Sequence, residues 1–73
     1  MKMSTQIWND AGLLREFVVE LYGPFILSGG SLDTYRRYCC LAERMAALTG
    51  IAINTIFGEL ITDAEAADAL VPA

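Results

Sequence analysis

Apolar residues recur at three- and four-residue steps along the first third of the chain, which places them on one face of a helix. They are Ile7, Ala11, Leu14, Val18, Leu21 and Tyr22. Gly23 and Pro24 follow, and a glycine just past a helix followed by a proline that cannot continue it is typical of a helix end. The pattern predicts a helix over residues 4–22, with Asn9 or Asp10 as an alternative start.

A second helix is indicated after the Gly29-Gly30 break, because Ser31 is a good N-cap. The prediction covers residues 31–48. Two neighbouring apolar stripes follow from helical spacing, Leu32, Tyr35, Cys39, Ala42 and Ala46 in one, and Tyr38, Leu41, Met45 and Leu48 in the other. Together they make an apolar arc wider than one neighbour needs, so we expect this helix to be contacted from two sides.

Gly50 is the next break, and residues 51–61 are mostly apolar. Their start is compatible with a strand, but a lone strand would have no pairing partner in the chain, so a helix is favoured. Thr62 and Glu65 have the spacing of a capping box, in which each side chain serves the other's backbone amide. The pattern therefore predicts a separate last helix over residues 63–70.

These elements predict an all-α fold, a compact bundle of three to four short helices in a single domain, residues 1–73. A chain of 73 residues with 55% hydrophobic residues buries only about 60–65% of its unfolded surface, and apolar surface left over needs a cover. We therefore expect the chain to self-associate, for example as a homodimer, and so to cover this apolar surface. Cys39 and Cys40 are adjacent, which is not a disulfide framework, so reduced and mostly structural thiols are expected.

Charge and residue types narrow the function classes. The net charge of −4 argues against binding to nucleic-acid phosphates, which normally takes clustered Lys and Arg. The chain has no histidine, no Gly-rich phosphate loop and no nucleophile with an evident base, so we expect no enzyme, no metal and no cofactor. No signal peptide and no membrane-spanning run is evident, and a cytoplasmic location is expected.

Residues 43–56 contain Ala46, Gly50 and Ile56 at the spacing of a helix-turn-helix. The small residue lets two helices cross closely, the glycine suits the turn, and the aliphatic side chain fills the angle between the helices. This segment resembles the helix-turn-helix family in those three positions. The resemblance implies a recognition helix over residues 52–61, but that stretch has no Lys or Arg to hold phosphate or read guanine.

Five residues are candidates for binding a partner protein. Arg36, Arg37 and Arg44 predict a basic face on the second helix, where arginine is a favoured anchor for acidic surfaces. Trp8 and Tyr38 are candidate exposed anchors, since Trp, Tyr and Arg dominate binding hot spots. The alternative is a solvated arginine face paired within its own helix and aromatic side chains that belong to the core.

The carboxyl-terminal segment from Asn54 onward holds four acids and no base. It serves either as a solubilising face or as a surface that engages a basic groove on a partner.

Size and character resemble those of the short host-takeover factors of bacteriophages, which act on transcription or defence proteins. The sequence thus predicts a small regulator or inhibitor that binds a larger protein. The alternatives are a dimeric helix-turn-helix DNA-binding regulator and a structural or assembly subunit.

Overall fold

The computed structural model describes residues 4–70, and within that range the chain forms four α-helices and no strand. Helix α1 spans Thr5–Trp8, α2 Ala11–Ser28, α3 Leu32–Thr49 and α4 Ile53–Ala69. The predicted all-α bundle is confirmed. The radius of gyration, 11.9 Å, is near the value of about 11 Å expected for a compact chain of this length. The predicted domain, residues 1–73, extends beyond the described range at both ends.

The first predicted helix, residues 4–22, is two helices. Ser4 caps α1, which ends after a single turn, and the Asn9 side chain bonds back to a carbonyl of that turn. Asp10 then adopts an extended backbone, and its carboxylate accepts the Leu13 amide at 3.1 Å. A side-chain oxygen that satisfies an otherwise orphan amide starts a new helix, so the alternative start at Asp10 is correct.

The predicted helix end at Gly23 and Pro24 is wrong, because α2 continues to Ser28. Gly23 is buried and does not take the left-handed conformation that ends a helix. Beyond it, the Phe25 ring lies 5.7 Å from that of Tyr38 on α3. Aromatic packing of this kind favours continuation of the helix beyond Pro24, where proline removes one backbone hydrogen bond. Gly29, with φ 82°, follows the true end.

The predicted break before residues 63–70 is absent as well, and α4 runs through it as one helix. Thr62 donates its hydroxyl to the Gly58 carbonyl at 3.1 Å, four residues back, so it does not cap a new helix. Leu60 and Ala64, on either side of the predicted break, are both buried. Four residues make about one turn, so α4 continues without interruption between them.

Helix α3 contacts both α2 and α4, as its wide apolar arc predicts. Its buried residues are Tyr38, Leu41, Ala42 and Met45. Leu32 and Tyr35, the first two residues of the other predicted stripe, are 62% and 52% exposed and lie outside the core. Ser31 caps the helix as predicted, accepting the Thr34 amide at 3.2 Å.

A tight turn at Gly50 joins α3 to α4, and the two helices bend by 112° across it. Gly50 has φ 74° and ψ 8°, a left-handed conformation that glycine adopts without steric cost. The Thr49 hydroxyl supports the turn by donating to the Met45 carbonyl at 2.8 Å and accepting the Ile51 amide at 3.3 Å. This bend decides which parts of α4 lie against α2.

Helices α2 and α4 form the central pair, and their two faces differ. On one face α3 packs across both helices and completes the core. That core comprises Leu14, Phe17, Val18, Tyr38, Leu41, Ala42, Met45, Ile56 and Leu60. We call this side the covered face. The other side is lined by α2 and the carboxyl-terminal part of the chain alone, and we call it the open face.

Candidate functional site

The predicted basic face on α3 is split. Arg36 and Arg37 are exposed and adjacent, as expected. Arg44 instead turns towards α1, where its Nε donates to the Trp8 carbonyl at 3.0 Å and its Nη2 to the Asn9 Oδ1 at 2.8 Å. Arg44 therefore serves a structural contact rather than one patch with the other two arginines. The reason is that the carbonyls at the end of α1 need donors.

Trp8 stays 38% exposed, but its ring is stacked by the Arg44 guanidinium, 5.1 Å from the ring centre. A cation over an aromatic face is attracted by the ring quadrupole. The side chain thus remains reachable on one side only. The alternative of arginines paired within their own helix, such as Arg37 with Asp33 four residues earlier, is not observed; the ion pairs among residues 4–70 both belong to Arg15.

Tyr38 is not an exposed anchor, and that prediction is corrected. Its side chain is only 7% exposed. Its ring contacts those of Tyr22, Phe25 and Phe57 at centroid distances of 6.3, 5.7 and 5.5 Å. Burial in this cluster raises the pKa of the Tyr38 hydroxyl above its ordinary value, since the charged form loses hydration.

A groove of about 810 Å³ lies on the open face, and we call it the α2–α4 groove. Small or aliphatic residues supply its apolar lining, Val19, Gly23, Leu27, Ala64, Ala67 and Leu70. Two leucines at its end stand out to solvent, Leu27 with 42% and Leu70 with 84% of their surface exposed. The groove is open along its length because most of its lining residues are exposed.

Acidic side chains border the apolar lining. Glu16 and Glu20 lie along α2, and Asp63 and Asp68 along α4. Among residues 4–70, Arg15 is the one basic residue that lines the groove, and it already forms ion pairs. Its guanidinium donates to Asp63 Oδ2 at 3.2 Å and to a carboxylate oxygen of Glu59.

The Arg15 contacts connect α2 to α4 beside the groove. The hydrogen bond to Glu59, followed by the charges of both acids, raises the pKa of Arg15 above its ordinary value. The guanidinium is therefore held as a cation between two carboxylates. Its charge is compensated locally, and the remaining acids of the groove give the border a negative character.

The helix ends add to this negative character. Ser28, the last residue of α2, and Leu70, the residue after α4, both line the groove. Neither helix has a basic residue in its last turn. The carboxyl end of a helix carries a partial negative charge from unpaired carbonyls, so two such ends and the carboxylates favour cations.

A second, smaller pocket of about 350 Å³ lies where aromatic rings meet. Phe25, Tyr38 and Phe57 line it, together with the exposed side chains of Tyr35 and Ile61. Within the described part of the chain, no charged residue lines this pocket. It is an apolar surface at the edge of the core.

Other chemistry is sparse in the described range. Cys39 is half-buried and Cys40 is exposed. The sequence predicted mostly structural cysteines, and neither side chain is fully buried. Both thiols are free. Residues 4–70 hold no cluster of three or more His, Cys, Asp or Glu side chains placed to bind a metal ion. No single helix there is long and apolar enough to cross a membrane; α3 and α4 qualify only as a bent pair.

The groove was not among the predicted sites. Its α2 wall consists of Val19, Gly23 and Leu27, a four-residue repeat that is visible only if the helix continues through Gly23. The sequence did indicate the acidic carboxyl-terminal segment, and Asp63 and Asp68 from that segment border the groove. No protein-family model, no curated protein and no solved structure matches the chain.

Proposed function

We propose that the protein is a small non-enzymatic binding module that docks on another protein through the α2–α4 groove. The groove itself is the observation that carries the proposal. An apolar channel of about 810 Å³ between two helices is a costly surface to leave in water, and exposed apolar patches rimmed by polar residues mark interaction sites.

The shape of the groove favours a protein segment over a small molecule. Small-molecule pockets enclose most of their ligand. Here Leu27 and Leu70 project at the edge and the channel is open along one side. An elongated apolar segment laid along two helices fits this form, as in helix-in-groove recognition.

A module of this kind acts by occupying or redirecting a larger partner, which makes a regulator or inhibitor the proposed role. The chain resembles phage host-takeover factors in size and in its acidic, cysteine-reduced character. On that resemblance, the proposed partner is a protein of the transcription or defence machinery. The cytoplasm is the proposed location.

The test compares two matched variants of exposed helical alanines. Ala67→Trp fills the groove, whereas Ala47→Trp places the same side chain on α3, away from the groove. Both tagged variants and the wild type are used to purify partners from cells that make the protein. We expect a defined protein that binds the wild type and Ala47→Trp directly in calorimetry and is lost with Ala67→Trp. Equal recovery of that protein by all three would contradict the proposal.

A second candidate function is DNA binding by α3 and α4. It is favoured by their 112° bend across a left-handed Gly50 and by Ile56, which is fully buried between the helices. The charge opposes it, since α4 carries four acids and no base. Fluorescence anisotropy with random duplex DNA at low salt decides this, because phosphate contacts are strongest there. We expect no binding.

A further inference from the structure

The charges around the α2–α4 groove point to the chemistry of its partner. Glu16, Glu20 and Asp68 border the groove and form no ion pair with any residue in the range 4–70. Arg15, the basic residue of the lining, is already bound to two carboxylates. A partner that lies here therefore meets unpaired negative charge on both walls. Cationic side chains satisfy it, and acidic ones are repelled.

The two helix ends strengthen this preference. Residues at the carboxyl ends of α2 and α4 line the groove, and neither last turn contains a basic residue to compensate the carbonyls. Partial charges at helix ends act over about one turn. Positive charge is thus favoured along the carboxylate border and again at the end near Leu70.

The apolar lining sets the shape of the partner. Gly23, Ala64 and Ala67 have little or no side chain, which lets another helix approach closely, while Leu27 and Leu70 offer apolar edges. The α2 wall runs from Arg15 to Ser28, a length of about 20 Å at about 1.5 Å per residue. A helix of about four turns, with one apolar stripe, matches that length.

We infer that the α2–α4 groove takes an amphipathic helix of the partner, with an apolar stripe flanked by Lys and Arg. This inference rests on the proposed function and names the chemistry of its partner. The acidic border disfavours the other anionic surfaces, a phosphate backbone or an anionic membrane, by the same repulsion.

The chain itself is the main competing occupant. Leu32, Arg36 and Arg37 lie exposed on α3 and have the character of a basic amphipathic face. Docking of that face into the groove of another copy would join two different surfaces. Such head-to-tail contacts grow into rings or open chains as concentration rises, and they are recognisable by light scattering.

The test uses three synthetic peptides of about four turns that share one leucine stripe and differ in its flanking residues. One has Lys and Arg flanks, one Gln flanks and one Glu flanks. Binding to the full chain is measured by calorimetry and by the helical circular dichroism that the peptide gains. We expect the basic peptide to bind at least about tenfold more tightly than the Gln peptide, the Glu peptide to be weakest, and the difference to shrink in high salt.

Charge-reversal variants make the test specific. Glu20→Lys with Asp68→Lys changes the border of the groove, and Glu43→Lys with Glu65→Lys makes the same net change at exposed positions outside it. All four positions are exposed, and far-ultraviolet circular dichroism verifies that the variants fold. We expect the first pair to prefer the Glu peptide and the second pair to keep the wild-type order.

Each remaining outcome has a defined meaning. If all three peptides bind equally and Ala67→Trp abolishes binding, the groove docks helices as proposed, but the inference of a basic partner is overturned. If no peptide binds even at low ionic strength, the inference is overturned, while the purification experiment still decides the proposed function. Concentration-dependent growth that Ala67→Trp abolishes identifies a second copy as the occupant and also overturns the inference.

Discussion

The covered and open faces of the α2–α4 pair belong to the same two helices, yet one is a core and the other a groove. On the covered face, Leu14, Val18 and Leu60 are fully buried beneath α3. On the open face, small residues such as Gly23 and Ala67 line the groove, and no third helix of the described range lines it. Side-chain volume, together with the presence or absence of a third helix, therefore separates the core from the groove.

The largest effect is expected from Leu60→Ala on the covered face. The side chain is fully buried, and truncation leaves a cavity in a small core, so the free energy of unfolding should fall by about 2–5 kcal/mol. Leu27→Ala is the matched change on the open face, and there we expect a loss of less than about 1 kcal/mol. Urea unfolding at neutral pH measures both. Equal losses would contradict the distinction between the faces.

Tyr38 gives the covered face a dependence on alkaline pH. Burial raises the pKa of Tyr38 in the folded state. The stabilisation from the buried, uncharged side chain is therefore complete at pH values below the ordinary tyrosine pKa of about 10. That contribution is lost as the pH rises through the higher folded value, because the tyrosinate must be hydrated. We expect the urea midpoint to fall more steeply above about pH 10 in the wild type than in Tyr38→Phe. Identical alkaline profiles would show that Tyr38 ionises without cost.

Arg15 lies where the two faces meet, and Arg15→Gln tests how much the ion pairs hold the groove together. Its side chain and those of Glu59 and Asp63 are each about one third exposed, so solvent screens the pairs. We expect a loss of about 1 kcal/mol or less, smaller still in high salt. A double-mutant cycle with Glu59→Gln isolates the pair. A salt-independent loss would point to packing of the arginine stem instead.

The smallest effect on stability is expected from Ala67→Leu on the open face. The added side chain enters the groove rather than the core, so the free energy of unfolding should change by less than about 0.5 kcal/mol. Binding of a basic amphipathic peptide should nevertheless be lost, since the leucine occupies its place. Ala47→Leu on α3 is the control, and we expect it to leave both properties unchanged. Loss of stability on the scale of Leu60→Ala would mean that the open face is core.

Much of the fold was readable from local sequence signals. Ser31 and Asp10 act as caps and Gly50 as a left-handed turn, because these roles depend on atoms within a few residues. The same local reasoning failed where distant packing decided the result. Pro24 stays within α2 since the next turn is packed by aromatic residues, and Thr62 bonds back to its own helix instead of capping a new one.

The site was less predictable, because its contacts join residues far apart in the chain. Arg15 meets Asp63 across 48 positions, and Arg44 meets Trp8 across 36. The first contact depends on the bend between α3 and α4, and the second on how α3 packs beside α1. Tyr38 was mistaken for an exposed anchor for the same reason: its helical position was evident, but not which of the two apolar stripes would face the core.

Pro24 has a consequence for the backbone of the groove. A regular helix would satisfy the carbonyl of Glu20 with the amide of residue 24, and proline has no amide hydrogen to give. Both residues line the groove. The main chain thus lacks one regular hydrogen bond beside the groove. Pro24→Ala would restore the missing amide donor while all the carboxylates remain.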